Sequence, residues 1–165
     1  MRNDRMSLRL VRIDDRLIHG QVVAGWLRAL GAQRIVIVDD ATAGDEFLRE
    51  VLSLAAPPGV PVEVLDLIGG AARCIELAAS PEPVIVLARS PRTVLALRQA
   101  GVPIEVVDLG GLGAGPGRRR LHRTISVSAD ELAELRELEQ LGTRVEIRIV
   151  ADDRPIALHS LDPAT

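Results

Sequence analysis

At 165 residues with a net charge of −3, one tryptophan, one phenylalanine and no tyrosine, the chain lacks the aromatic platforms and positive charge that nucleic-acid binding needs. All 20 basic residues are arginines, which excludes a Schiff-base or P-loop lysine, and the lone Cys74 excludes an internal disulfide and a multi-cysteine metal site. The length suits one domain, residues 1–165, whose core must be built from Val, Leu, Ile and Ala, since 47% of the chain is hydrophobic with almost no aromatics.

The first apolar run, Leu8 to Ile13, reads as a strand, and a polar loop follows it. A helix is expected from about Gly20 to Leu30, where Val22, Val23, Trp26, Leu27 and Leu30 recur at helical spacing and place Trp26 in the core. Gly31 ends it, and Arg34 to Val38 is a β-branched run fit for a central strand. A second helix is expected from about Thr42 to Ala55, stopped by Pro57-Pro58-Gly59. Val62 to Leu65 is strand three, followed by a helix over about 67–79 that buries Cys74. Pro83 to Ala88 is strand four, and Ser90-Pro91 caps the next helix. Ile104 to Leu109 is strand five, running into the glycine-rich segment 110–117. Short strands near Leu121 and Ile125 to Val127 would add an antiparallel edge. Ser128-Ala-Asp-Glu131 is a capping box for a helix ending near Gly142, Val145 to Val150 is the last strand, and the tail 151–165 is polar and weakly patterned. Strands alternating with helices imply an α/β fold: a doubly wound, mostly parallel sheet flanked by helices. The N-terminal MRNDRMS carries no apolar core for a signal peptide, and no run is long enough to span a membrane, so the protein is expected in the cytoplasm.

The chemistry concentrates after strand one, in Arg12-Ile-Asp-Asp-Arg-Leu-Ile-His-Gly-Gln21. Ligands of open α/β sheets bind beyond the carboxyl ends of strands. Asp14 and Asp15 offer acceptors for loop amides, Arg16 a planar fork that fits phosphate, and His19 a nucleophile near neutral pH. Gly20 and Gln21 open the helix, so free amides and the positive end of its dipole face whatever His19 carries. That combination favours a phosphorylated histidine over a metal-bound one. By residue type alone, a histidine after a strand and an Asp-Asp pair also fit an ordinary turn with its caps.

The literal string decides between these readings. RIDDRLIHGQV resembles the active-site segment of the IIB component of the mannose/fructose/sorbose family of the sugar phosphotransferase system. AAPPGV at 55–60, VDLGGL at 107–112 and the stretch from Ser126 to Val150 are similar to that family's later landmarks, in the same order. The resemblance implies that His19 is the phosphocarrier and that the Gly110-Gly111 loop lies near it, while Arg16 as its charge partner and Asp14, Asp15, Gly20, Gln21 and Ser90 in support follow from their residue types and their places beyond strand ends. It implies as partners a IIA phosphocarrier, membrane IIC and IID components and a sugar, with peripheral attachment to that transporter; a homo-oligomer is expected beside these, and no cofactor, metal or nucleic acid, since nothing in the chain resembles a metal or nucleotide site and its composition does not suit nucleic acid. The chain departs from the family pattern at Leu112, where methionine commonly stands, and at Gly115, where a basic residue often does.

Two other readings stand beside this one. A receiver-type signalling domain would use Asp14, Asp15 and Asp66, but needs a lysine after strand five that this chain lacks. A non-catalytic regulatory module would keep the fold and the histidine without feeding a transporter. Of the remaining groups, the glycine-rich segment reads as a flexible rim, Arg118 to Arg120 as a solvated edge, His122 and His159 as surface residues, and Asp39, Asp66 and Asp108 as caps of the turns after their strands.

Overall fold

The computed structural model describes residues 6–161. Residues 1–5, within the segment read as carrying no secretion signal, and residues 162–165 of the tail lie outside the described residues. In chain order the strands are β1 (Leu8–Asp14), β2 (Arg34–Val38), β3 (Val62–Leu65), β4 (Val84–Ala88), β5 (Val106–Gly111), β6 (Arg119–His122), β7 (Ile125–Val127), β8 (Arg144–Ile147) and β9 (Ile156–Ala157). The helices are α1 (Gly20–Leu30), α2 (Asp40–Ala43), α3 (Glu46–Ala55), α4 (Leu67–Ala78), α5 (Pro91–Gln99) and α6 (Ala129–Gln140).

The β-branched runs pair into one seven-stranded sheet in the order β3-β2-β4-β1-β5-β8-β9, parallel except for β9. Because both faces are covered, the central strands are buried almost residue by residue, as their unbroken apolar sequences require. Trp26, Ile35, Ile37 and Leu52 pack on the face that α1 and α3 cover. Val36, Val86, Cys74, Leu97 and Leu135 pack on the other, under α4, α5 and α6. Cys74 is the small buried group its position implied, and burial pushes its thiol up to about 12.

Several expectations are corrected. The helix expected over 42–55 is two helices, because Asp39 caps α2 through the Thr42 amide and Asp45 caps α3 through the Leu48 amide. Two N-cap aspartates six residues apart impose two starts. The segments near Leu121 and Ile125 pair only with each other, as a separate antiparallel hairpin. The antiparallel edge of the main sheet is β9, from the tail read as weakly patterned, and Leu158 after it is buried. Strand five starts at Val106 rather than Ile104 and runs on through Gly111, and the last strand ends at Ile147 rather than Val150. There the amides of Ile149 and Val150 donate to the Asp153 carboxylate instead of to a neighbouring strand.

β1 therefore lies between β4 and β5, and the connections of the neighbours β1 and β4 run in opposite directions, β1 to β2 on one side and β4 across to β5 on the other. This is the switch point of a doubly wound sheet, where a crevice opens at the carboxyl ends of the strands. The loop that β1 feeds is 15–19.

Candidate active site

The site is built on a buried ionic floor. Leu10, Arg12 and Asp14 alternate onto one face of β1, and Arg12 sits opposite Asp108 of β5. Arg12 is only 2% exposed and donates through Nη1 to Asp108 Oδ2 at 2.5 Å and to the Arg148 carbonyl at 2.8 Å. Its Nη2 donates to Asp14 Oδ2 at 3.3 Å and to the Ile149 carbonyl at 2.8 Å, and its guanidinium lies 5.6 Å from the centre of the Trp26 ring. Asp108 also accepts the Arg148 amide at 2.9 Å. A buried charge is tolerable only when paired and hydrogen-bonded in this way. Burial pushes the Asp108 carboxyl up to about 6, against the pull of Arg12 and Arg148, so it is largely ionised at neutral pH.

Gly110 and Gly111 are explained by this floor. A Cβ on Gly110 would lie 1.9 Å from Arg12 Cζ, and one on Gly111 would lie 2.6 Å from Asp14 Oδ1. The β1–β5 register slips by one residue between Ile13 and Asp14, leaving Gly110 as the bulged residue that lets the guanidinium through. The reading of this double glycine as a flexible rim is thus corrected: both residues are buried in β5, where a side chain would collide with the site's own charges. Asp108 is corrected too. It stands within β5 and pairs with Arg12, whereas Asp39 and Asp66 cap their helices as expected.

Above the floor the loop folds on Asp14. Its Oδ1 accepts the Arg16 amide at 3.1 Å and lies 3.3 Å from Arg16 Nε, and the Leu17 amide donates to the Asp14 carbonyl at 2.9 Å. Leu17 is held at φ +56 with its side chain buried, a left-handed conformation that costs an L-residue about 1–2 kcal/mol. Strain of this kind at a ligand loop has to be maintained by the surrounding contacts. The chain then presents His19 as the N-cap of α1, without a side-chain cap, followed by Gly20 at φ +39, where glycine is favoured. The first-turn amides, Gln21's among them, are left for a ligand.

His19 is 31% exposed, but not evenly. Nε2 is shut off from solvent and lies 3.7 Å from Asp14 Oδ2, beyond hydrogen-bond distance. Burial lowers the His19 pKa below its ordinary value, Arg16 and Arg12 lower it further, and Asp14 acts in the opposite sense. These shifts favour the neutral, nucleophilic form of the ring.

Two residues that sequence reasoning missed flank the loop. Arg89, at the end of β4, donates through Nη1 to the Asp15 carbonyl at 3.1 Å and through Nη2 to Thr42 Oγ1 at 3.3 Å. Arg118 was read as solvated edge, yet it donates through Nη1 to the Gly113 carbonyl at 2.8 Å and through Nε and Nη2 to Glu131 at 3.0 and 2.6 Å. It also lies 3.7 Å from Asp15 Oδ2, which accepts the Gly113 amide at 2.9 Å. Ser90 is the cap of α5: its hydroxyl accepts from the Thr93 amide at 3.4 Å and lies 3.2 Å from Thr93 Oγ1. Leu112 is buried in the core, whereas Gly115 faces open space.

Residues 8–161 match the family model of the PTS system sorbose subfamily IIB component. The chain belongs to this family of sugar phosphotransferase IIB components. It is 38% identical over 148 residues to the sorbose-specific EIIB component of Klebsiella pneumoniae, covering 90% of both chains. Against the mannose-specific EIIAB component of Escherichia coli it is 34% identical over 163 residues, 96% of this chain and 49% of that protein. The crystal structure of the IIBSor domain of the K. pneumoniae sorbose permease matches with a TM-score of 0.84 at 37% identity, covering 92% of this chain and 93% of that one. The protein is thus a phosphocarrier subunit and phosphotransferase of a sugar phosphotransferase system. The sheet order disfavours the receiver reading independently, because Asp66 follows the outermost strand β3, with β2 and β4 between it and β1. Among the described residues no helix is long and apolar enough to cross a membrane.

Proposed function

We propose that His19 is the phosphocarrier and that Nδ1 is the atom that takes the phosphoryl group. The observation that carries this is that Nε2 is enclosed against Asp14 without a hydrogen-bond partner, at the uncapped start of α1, which leaves Nδ1 as the ring nitrogen free to attack. In the first step the N–P bond of a phosphohistidine on a IIA partner breaks as the Nδ1–P bond forms. In the second that bond breaks as a sugar hydroxyl oxygen bonds to phosphorus, and the hydroxyl proton leaves to solvent. Each is an in-line displacement in which positioning and charge neutralisation supply the catalysis. Arg16, half-exposed beside the ring, and the amides of Gly20 and Gln21 supply that neutralisation. Gly110 and Gly111 serve indirectly, by making room for Arg12 and Asp14. The sugar reaches the site through membrane IIC and IID components, which the chain joins from the cytoplasmic side.

Incubation with a phosphorylated IIA partner should place one acid-labile phosphate on His19, mapped by mass spectrometry, with the Nδ1 linkage read from nitrogen–phosphorus couplings. Phosphate on His122, His159 or an aspartate would overturn the assignment. The single substitution Ser90→Ala discriminates within the supporting set. A hydroxyl that reaches the phosphoryl group would cost roughly tenfold to a hundredfold in transfer on removal, while a helix cap would cost about 1 kcal/mol of stability and leave transfer alone.

A further inference from the structure

Asp15 is the point at which three strand ends meet. From the β4 side Arg89 grips its main chain, through the carbonyl at 3.1 Å, while anchored on α2 through Thr42 Oγ1 and standing 3.7 Å from Asp39 Oδ2. From the β5 side its side chain is held, because Oδ2 accepts the Gly113 amide and faces Arg118, which is anchored on Glu131 of α6. Between the two grips, the Asp15 amide donates to the Gly111 carbonyl at 2.9 Å. Two residues further on, Leu17 sits in its left-handed conformation, and two beyond that comes His19.

A five-residue loop with a strained residue at its middle does not hold its shape without external ties. The buried floor holds the loop through Asp14, and Leu17 and Ile18 pack into the core beside Trp26, but neither the floor nor this packing holds the Asp15 side chain. We propose that Arg89 and Arg118 are positioning residues for phosphotransfer, a two-sided clamp that fixes Asp15 and thereby sets the height of His19 over the start of α1. Neither guanidinium is assigned a contact with the phosphoryl group. They act through Asp15, one on its backbone and one on its carboxylate. Displacement of a reacting atom by about 1 Å costs on the order of a hundredfold in rate, so loosening either grip should appear in transfer. The inference rests on His19 as the carrier, and its test includes a measurement that does not.

The variants are Arg89→Ala, Arg118→Ala, Asp15→Ala and the two arginine–Asp15 doubles, each shown to be folded by its thermal melt. Single-turnover transfer from a phosphorylated IIA partner should slow tenfold or more in each arginine variant, with the half-saturating donor concentration within about twofold of the parent. Arg118→Ala and Asp15→Ala should be non-additive, because they cut the same side-chain grip. Arg89→Ala and Asp15→Ala should multiply, because a backbone carbonyl survives truncation of the side chain. Arg89→Lys, which can still reach one carbonyl, should recover part of the lost rate. Independently of any transfer, hydrogen exchange at the Asp15 and Leu17 amides should speed up about tenfold in either arginine variant. Folded variants with parental exchange overturn the clamp whatever the site of phosphorylation. Faster exchange with parental transfer overturns its role in positioning, and a raised half-saturating concentration at unchanged maximal rate would make the arginines docking residues instead. Phosphate found away from His19 in the parent would refute the carrier assignment and leave the exchange result to stand by itself.

Discussion

The floor and the rim of the site use the same residue types to opposite ends. Arg12, Asp14 and Asp108 are almost wholly buried, sit on paired strands and bond chiefly to one another and to the backbone, Arg12 donating to carbonyls and the two aspartates accepting from amides. Arg16, Arg89 and Arg118 are 54%, 46% and 23% exposed, stand on loops or strand ends, and make contacts that solvent can compete for. A charge in the floor can move only if its partners move with it, because an unpaired buried ion costs several kcal/mol. Arg16, the most exposed of these three, can exchange one acceptor for another at little cost, since exposed ion pairs contribute about 0–1 kcal/mol. Rigidity in the floor with adaptability at Arg16 suits the carrier role proposed for His19, which would receive a dianion and then release it.

The sharpest way to break the comparison is to force a side chain into the floor. Gly110→Ala would drive Arg12 off its acceptors, and the resulting uncompensated buried charge should cost roughly 3–5 kcal/mol in urea unfolding. Gly115→Ala, where a Cβ meets open space, should stay within about 0.5 kcal/mol. Near-equal losses from the two substitutions would mean that the floor yields as readily as the rim.

This contrast also explains what was legible in the sequence. The strands, the α1 boundaries and the loop from Asp14 to His19 could be read because each depends on neighbours close in the chain: an apolar run, a glycine after a helix, a strand emptying into polar residues. Asp108 and Arg118 were misread because their roles are set by residues 96 and 13 positions away, Arg12 and Glu131. The signal that existed was a charge inside a strand buried on both faces, as Arg12 is in LVRID and Asp108 in VVDLGG, which implies a partner across the sheet. Gly110 and Gly111 drew attention as a motif, but flexibility was the wrong physics, for their lack of a side chain is used as space. The tail's contribution, β9 and the buried Leu158, rests on a strand of two residues that no periodicity could announce.

A gentler probe of the floor is acidity. Asp108 is held at about 6 in the folded protein against an ordinary 3.8, so it is protonated more readily when folded than when unfolded. A carboxyl raised in this way contributes stability below its unfolded pKa and loses it as pH rises through about 6, a swing of roughly 3 kcal/mol for two units. Asp108→Asn cannot ionise, so between pH 4 and pH 7 the stability of the variant relative to the parent should move in the variant's favour by most of that swing, roughly 2 kcal/mol. A relative stability flat across this range would show that Asp108 titrates at its ordinary value and that Arg12 fully offsets its burial.

The smallest expected effect separates charge from geometry in the rim. Arg16 lowers the His19 pKa and Asp14 raises it, so Arg16→Gln should raise the midpoint of the His19 ring titration and Asp14→Asn should lower it, as followed by proton shifts of the imidazole. Arg16→Lys keeps the charge and should leave that titration near the parent's. Lysine has no planar fork, however, and lacks the Nε that lies 3.3 Å from Asp14 Oδ1, so its charge is no longer oriented by the loop. If Arg16 neutralises the phosphoryl group in flight, Arg16→Lys should slow transfer roughly tenfold, about the value of one charge-assisted hydrogen bond, while the titration hardly moves. If Arg16 only tunes the histidine, transfer by the lysine variant should match the parent at every pH. In the glutamine variant the loss would then be confined to acid conditions, where the raised pKa leaves more of the ring protonated and unable to attack. A loss in the glutamine variant that persists at pH 8, with His19 neutral in both proteins, would leave contact with the phosphoryl group as the role that accounts for it.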